Sequence, residues 1–174
     1  YRRPVNAEDL EGLMSFYQKG RENGDFELGI RSALQAILTS PNFVFRFEQE
    51  PAGVAAGETY RISDLELASR LSYFLWSTVP DDELYAVANE GRLHDSNALL
   101  AQVRRMLSDS RAEALATRFA SQWLRLQDLD GRVPDPLLYP QFDTTLGESM
   151  QRETQLLFDS IVREDRSVLE LLTA

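Results

Sequence analysis

Cysteine is absent, which removes disulfides, thiolate metal ligands, thiol nucleophiles and covalent haem attachment through Cys-x-x-Cys-His. Histidine occurs once, at His94, so a metal site built on two imidazoles is excluded as well. Lysine also occurs once, at Lys19, leaving arginine to supply the other basic residues. There is no long apolar run. The most apolar stretch, Leu65 to Trp76, carries Glu66 and Arg70 and falls far short of the roughly 18 residues a membrane span needs. Nor is there a Gly-x-Ser-x-Gly elbow, a Gly-x-x-x-x-Gly-Lys phosphate loop or a Gly-x-Gly-x-x-Gly turn, which disfavours most readable hydrolases and nucleotide-using enzymes.

What remains is a chain of 174 residues and 19.8 kDa, 43% hydrophobic and 26% charged, the composition of a globular domain. That length suits one domain, or one compact domain plus a helical arm, and is enough to build a core without staples. The net charge of −10 is spread along the chain, about −3 over residues 1–60 and −7 over the rest. Phosphate would repel such a surface, so nucleic acid and anionic membrane are poor partners. The abrupt start at Tyr1, without Met, and the stop at Ala174 just inside a helical pattern predict a piece of a longer protein.

Apolar residues recur at helical spacing nearly throughout. Asn6 and Asp9 resemble a capping box ahead of Leu10, Leu13, Met14 and Tyr17. Asp25 caps a second helix, and Ser40-Pro41 suits the start of a short third helix through Phe43 and Phe47. Residues 49–59 read as a linker. Ser63-Asp64-Leu65-Glu66 is a second capping box, opening a helix expected to be the most buried. Pro80-Asp81-Asp82-Glu83 and Asp95 start two more helices, the second with Leu99, Leu100, Val103 and Met106 inward. Leu115, Phe119, Trp123 and Leu126 are expected to continue the inward face. Residues 128–142 form an irregular loop, and the longest helix runs from Thr144 to about Arg163. The predicted fold is all-α: an orthogonal multi-helix bundle with a two- to three-helix N-terminal subdomain, about 65–70% helix. The expected domains are residues 1–48, a linker at 49–59, and a main domain at 60–174 that is truncated at its C-terminus.

Chemistry-bearing groups are few. Asp81, Asp82 and Glu83 could pair as acid and base, although acids at a helix start also offset its dipole. Asp128, Asp130 and Asp135 miss the EF-hand spacing, with Gly131 and Tyr139 in the wrong places. His94 sits between Leu93 and Asp95 as a surface or capping residue, and Glu90 has no second copy to complete a di-iron pattern. The Arg104-Arg105 doublet could dock an acidic partner. Trp76, ending the central helix before Thr78-Val79-Pro80, could border a cleft with Arg70. No catalytic, metal or cofactor-binding residue is assigned, and no cofactor is expected.

Tyr1–Val5, Ile30–Phe47 and Tyr60–Leu84, with Gln102–Met106, Phe119–Leu124 and Arg163–Leu172, resemble two adjoining domains of unknown function. Such domains are found in large exported proteins of Planctomycetes, Acidobacteria and relatives. The resemblance implies a place downstream of a cytochrome-c-like segment and ahead of further domains, hence a periplasmic or cell-surface location. It carries no catalytic residues. The function expected is a helical scaffold or interaction module of a larger exported, cytochrome-linked protein, its partners being neighbouring domains of the same polypeptide, with the cytochrome-c-like one as a candidate. Two alternatives stand beside it. One is an enzyme domain whose cleft, lined by Arg70, Trp76, Asp81 and Asp82, acts on carbohydrate or related polymer products. The other is a docking module for a c-type cytochrome, with Arg104 and Arg105 as interface candidates in either binding role.

Overall fold

A computed structural model describes residues 3–22, 24–46, 48, 50–132 and 134–173. The fold is all-α, 66% helical, with no strand among the described residues. The chain divides into two compact units, Tyr1–Glu66 and Leu67–Ala174.

In the first unit, α1 (Ala7–Glu22) opens on a reciprocal cap. The Asp9 amide donates to Asn6 Oδ1 at 2.8 Å and the Asn6 amide to Asp9 Oδ2 at 3.0 Å. Arg3 grips the same Asp9 carboxylate through both terminal nitrogens, at 2.7 and 2.9 Å. Asp25 caps α2 (Phe26–Thr39), accepting from the Leu28 amide at 3.1 Å. The two helices form a hairpin that closes tightly at its glycines. A Cβ on Gly20 would lie 2.7 Å from the Leu28 carbonyl oxygen and 2.9 Å from Gly29 Cα. Gly29 is the one buried residue of the two helices. The short α3 (Pro41–Val44) follows with proline in its first turn, and Phe45 is already extended. Phe47, expected to continue that helix, lies outside the described residues.

The second unit is built around α4 (Asp64–Trp76), whose start is capped as expected: the Ser63 amide and hydroxyl each donate to Glu66 Oε2 at 2.8 Å. Next come α5 (Asp82–Asn89), α6 (Ser96–Ser108) and a 3₁₀ turn (Ser110–Ala112). A π-helix (Leu115–Ala120) then runs into the single turn α7 (Ser121–Trp123), and a second 3₁₀ turn covers Leu126–Leu129. Asp143 caps the long α8 (Thr144–Arg163), and Val168–Leu172 form a last 3₁₀ turn. The core gathers Ala68, Leu75 and Trp76 from α4, Leu84 and Ala88 from α5, and Met106 from α6. Ala116 and Ala120 join from the π-helix, and Phe158 and Ile161 from α8.

Several side chains depart from the expected inward stripes. Phe74 is 52% exposed although α4 was expected to be buried on most sides. Leu100 points outward, while Gln102 of the same helix is buried. Leu115 is buried as expected, but Phe119 and Trp123 are exposed. For Phe119 and Trp123 the cause is the π-helix: each of its turns takes about one residue more than an α-turn, so side chains after Leu115 sit rotated round the axis from where α-spacing puts them. Phe119 and Trp123 instead stack at 6.0 Å between centroids, with Phe74 edge-on to Phe119 at 5.3 Å.

Candidate functional site

The one place where the sequence-selected residues converge is the end of α4 and the start of α5. Trp76 is buried, and its indole N–H donates to the Met106 carbonyl at 2.9 Å. Tryptophan is seldom wholly buried without a partner for that N–H, and the α6 backbone supplies one. Ser77, at φ 55°, breaks α4 immediately afterwards and turns the chain towards Pro80 and α5.

Asp81 stands at the N-cap of α5, where it accepts from the Leu84 amide at 3.0 Å. Its carboxylate also receives a forked pair of bonds from Arg105 of α6, at 2.7 and 3.0 Å, and one from Arg111 at 3.2 Å. Arg105 is shared in turn with Gln102 Oε1, at 2.8 and 3.0 Å, and with Glu83 at 3.1 Å. Gln102 donates to Glu83 at 2.9 Å, so the buried amide uses both its ends. Arg111 lies flat over Trp76, its guanidinium carbon 3.5 Å from the ring centroid, and is clamped to Asp109 at 2.7 and 2.9 Å. Arg105 approaches the same ring at 5.5 Å. One indole thus carries two cations, which are paired with the carboxylates of Asp81, Glu83 and Asp109.

The electrostatics follow. The Arg105 guanidinium, aided by the Leu84 amide and Arg111, outweighs partial burial and holds the Asp81 carboxyl at about 2. Arg111 does the same for Asp109, also at about 2. Arg105 and Arg111 are correspondingly raised, each chiefly by its own carboxylate partner. At neutral pH Asp81 is therefore ionised and already engaged by four donors. It has no proton to give as an acid and is a weak base.

Trp76, Asp81 and Arg105 are brought together, whereas Arg70, Asp82 and Arg104 are exposed. The doublet Arg104-Arg105 is split by the helix, one residue outward and the other in the cluster. Arg111, Asp109 and Gln102 were missed by sequence reasoning, because Arg111 and Gln102 reach Trp76, Asp81 and Glu83 only through tertiary contact, and Asp109 joins through its neighbour Arg111. The acids of the 128–142 loop are also in use: Asp128 pairs with Arg125 at 2.6 Å, and Asp130 accepts from Gln151 at 2.7 Å. Asp135 caps the turn at Leu137, at 2.8 Å. Among the described residues no group of carboxylates and histidine is arranged to hold a metal ion. No described helix is long and apolar enough to cross a membrane.

Residues 62–174 match the model of a family described as protein of unknown function (DUF1592). Residues 1–48 match a second, described as protein of unknown function (DUF1595). No curated protein and no solved structure matches the chain.

Proposed function

The chain belongs to the DUF1592 family, and we propose that it works as a non-catalytic helical scaffold or interaction module within a larger exported, cytochrome-linked protein. The observation that carries this reading is the closed state of the Trp76 cluster. A cleft for carbohydrate chemistry needs a carboxyl that can change protonation near neutral pH and an aromatic face open to a sugar ring. Asp81 instead sits at about 2 under Arg105, and the face of Trp76 is covered by Arg111. Trp76, Asp81 and Arg105 instead tie α4, α5 and α6 together.

Among the side chains left open to solvent are large apolar ones: Phe74, Trp123, Leu137 and Leu138 in the second unit, and aliphatic side chains of the hairpin in the first. Contiguous apolar patches of a few hundred Å² mark contact surfaces more often than accidents. Neighbouring domains of the same polypeptide are the partners this reading names. The exported, periplasmic or cell-surface setting and the cytochrome-c-like neighbour are supported by the resemblance of Tyr1–Val5, Ile30–Phe47 and Tyr60–Leu84 to such modules.

The test is native mass spectrometry of the 19.8 kDa chain mixed with the separately expressed remainder of its gene product. A stoichiometric complex supports the module. Turnover of a panel of oligosaccharides that Asp81→Asn abolishes, with melting shifted by no more than a degree or two, would overturn it.

A further inference from the structure

The hairpin of α1 and α2 has one seam and one spare face. Leu13, Tyr17 and Gly20 of α1 and Gly29, Ala33 and Ile37 of α2 line the seam, all of them half-buried or buried, with Tyr17 and Gly20 close against Gly29. A quarter-turn further round each helix, on the same side of the hairpin, lies a second apolar set. On α1 it is Leu10 and Met14, 57% and 49% exposed. On α2 it is Ile30, Leu34 and Leu38, one turn apart and 40%, 52% and 56% exposed. Helix periodicity places these five on one continuous face, with the i, i+4, i+8 row of α2 forming a ridge.

We propose that this face of the hairpin pairs with the same face of a second copy of the chain, joining two hairpins into a four-helix arrangement. The inference rests on reading the chain as an interaction module and gives that module one partner. Two observations select a second copy. The first is area. Five half-exposed aliphatic side chains leave roughly 400–500 Å² of apolar surface, and a standard interface takes about 800 Å² per partner, a little over half of it apolar. The second is the charge of the rim. Glu11 and Glu27 lie there with Arg21 and Arg31, all four exposed. In a two-fold interface each contact occurs twice with the roles exchanged, so a rim of both signs can pair Glu with Arg across the axis. A rim of one sign would instead call for an oppositely charged, unlike partner.

The test is sedimentation velocity of the full chain across the micromolar range, with the circular dichroism spectrum checked for each variant. The expected result is a concentration-dependent species at twice the chain mass of 19.8 kDa. Leu34→Glu and, independently, Met14→Glu should return it to the monomer with helicity unchanged. Phe16→Glu, on the opposite flank of α1, should leave the dimer intact. A monomer at every concentration overturns the proposal. So does a dimer that survives both Leu34→Glu and Met14→Glu, or one that Phe16→Glu dissociates. None of these results bears on the complex with the rest of the gene product, so the two readings fail separately.

Discussion

Asp81 is one short side chain serving three structures: it caps α5, receives the Arg105 fork from α6, and reaches Arg111 beyond it. Its folded-state pKa of about 2 lies below the ordinary 3.8. For a depressed carboxyl, the stabilisation is complete above the unfolded value and drains away as pH falls through the folded one. Stability should therefore hold down to about pH 4 and decline between about pH 4 and 2, with Asp81 contributing about 2 kcal/mol of that loss. Asp109, lowered in the same direction, acts over the same window. Urea titrations from pH 6 to pH 2 read this directly. Asp81→Asn should be less stable at pH 6 and show a shallower decline, and an unchanged slope would refute the assignment. The two tryptophans separate just as cleanly. Trp76→Phe forfeits the bond to the Met106 carbonyl and part of the Arg111 contact, and should cost about 2 kcal/mol. That carbonyl keeps the Asp109 amide as a partner, which limits the penalty. Trp123, 55% exposed, should accept phenylalanine within about 0.5 kcal/mol by the same denaturant assay.

At the scale of elements, what could be read in the sequence was local and what was missed was not. Asn6/Asp9, Asp25, Ser63/Glu66 and Asp95 each satisfy amides two or three residues away, and each cap is made. The Trp76 cluster joins residues 19 to 30 positions apart, so its partners Arg111 and Gln102 carried no motif that spacing could reveal. The π-helix was invisible for a related reason. Its wider turn belongs to the backbone of residues 115–120 and shifts Phe119 and Trp123 out of a stripe that α-spacing put inward. The glycines of α1 offer a test of what the helices themselves demand. A Cβ at Gly12 would meet nothing within 4 Å, so Gly12→Ala should stabilise by about 0.5–1 kcal/mol through backbone entropy alone. Gly20→Ala has the same propensity gain but meets backbone atoms of α2 that cannot swing aside. It should destabilise by about 1–2 kcal/mol net, as overpacking does. Paired thermal melts of the two variants check both signs. If Gly20→Ala proved stabilising, the hairpin would not be closed at that glycine.

The whole molecule is unevenly endowed. The second unit has a core drawn from α4, α5, α6, the π-helix and α8, whereas α1 and α2 together bury only Gly29. Two helices with so little apolar surface removed from water hold together with a small margin. Whatever covers Leu10, Met14 and the α2 ridge should then add to that margin. Both tryptophans, Trp76 and Trp123, lie in the second unit, so tryptophan fluorescence reports that unit while far-ultraviolet circular dichroism reports both. In dilute solution the two melting curves should not coincide, with helicity lost first at a temperature where fluorescence is unchanged. If a second copy covers the hairpin, mass action raises the early transition with protein concentration and leaves the fluorescence midpoint nearly fixed. Leu34→Glu should abolish that concentration dependence. Coincident, concentration-independent curves would mean that the hairpin draws its stability from within the single chain, and the apolar face would then need no second copy.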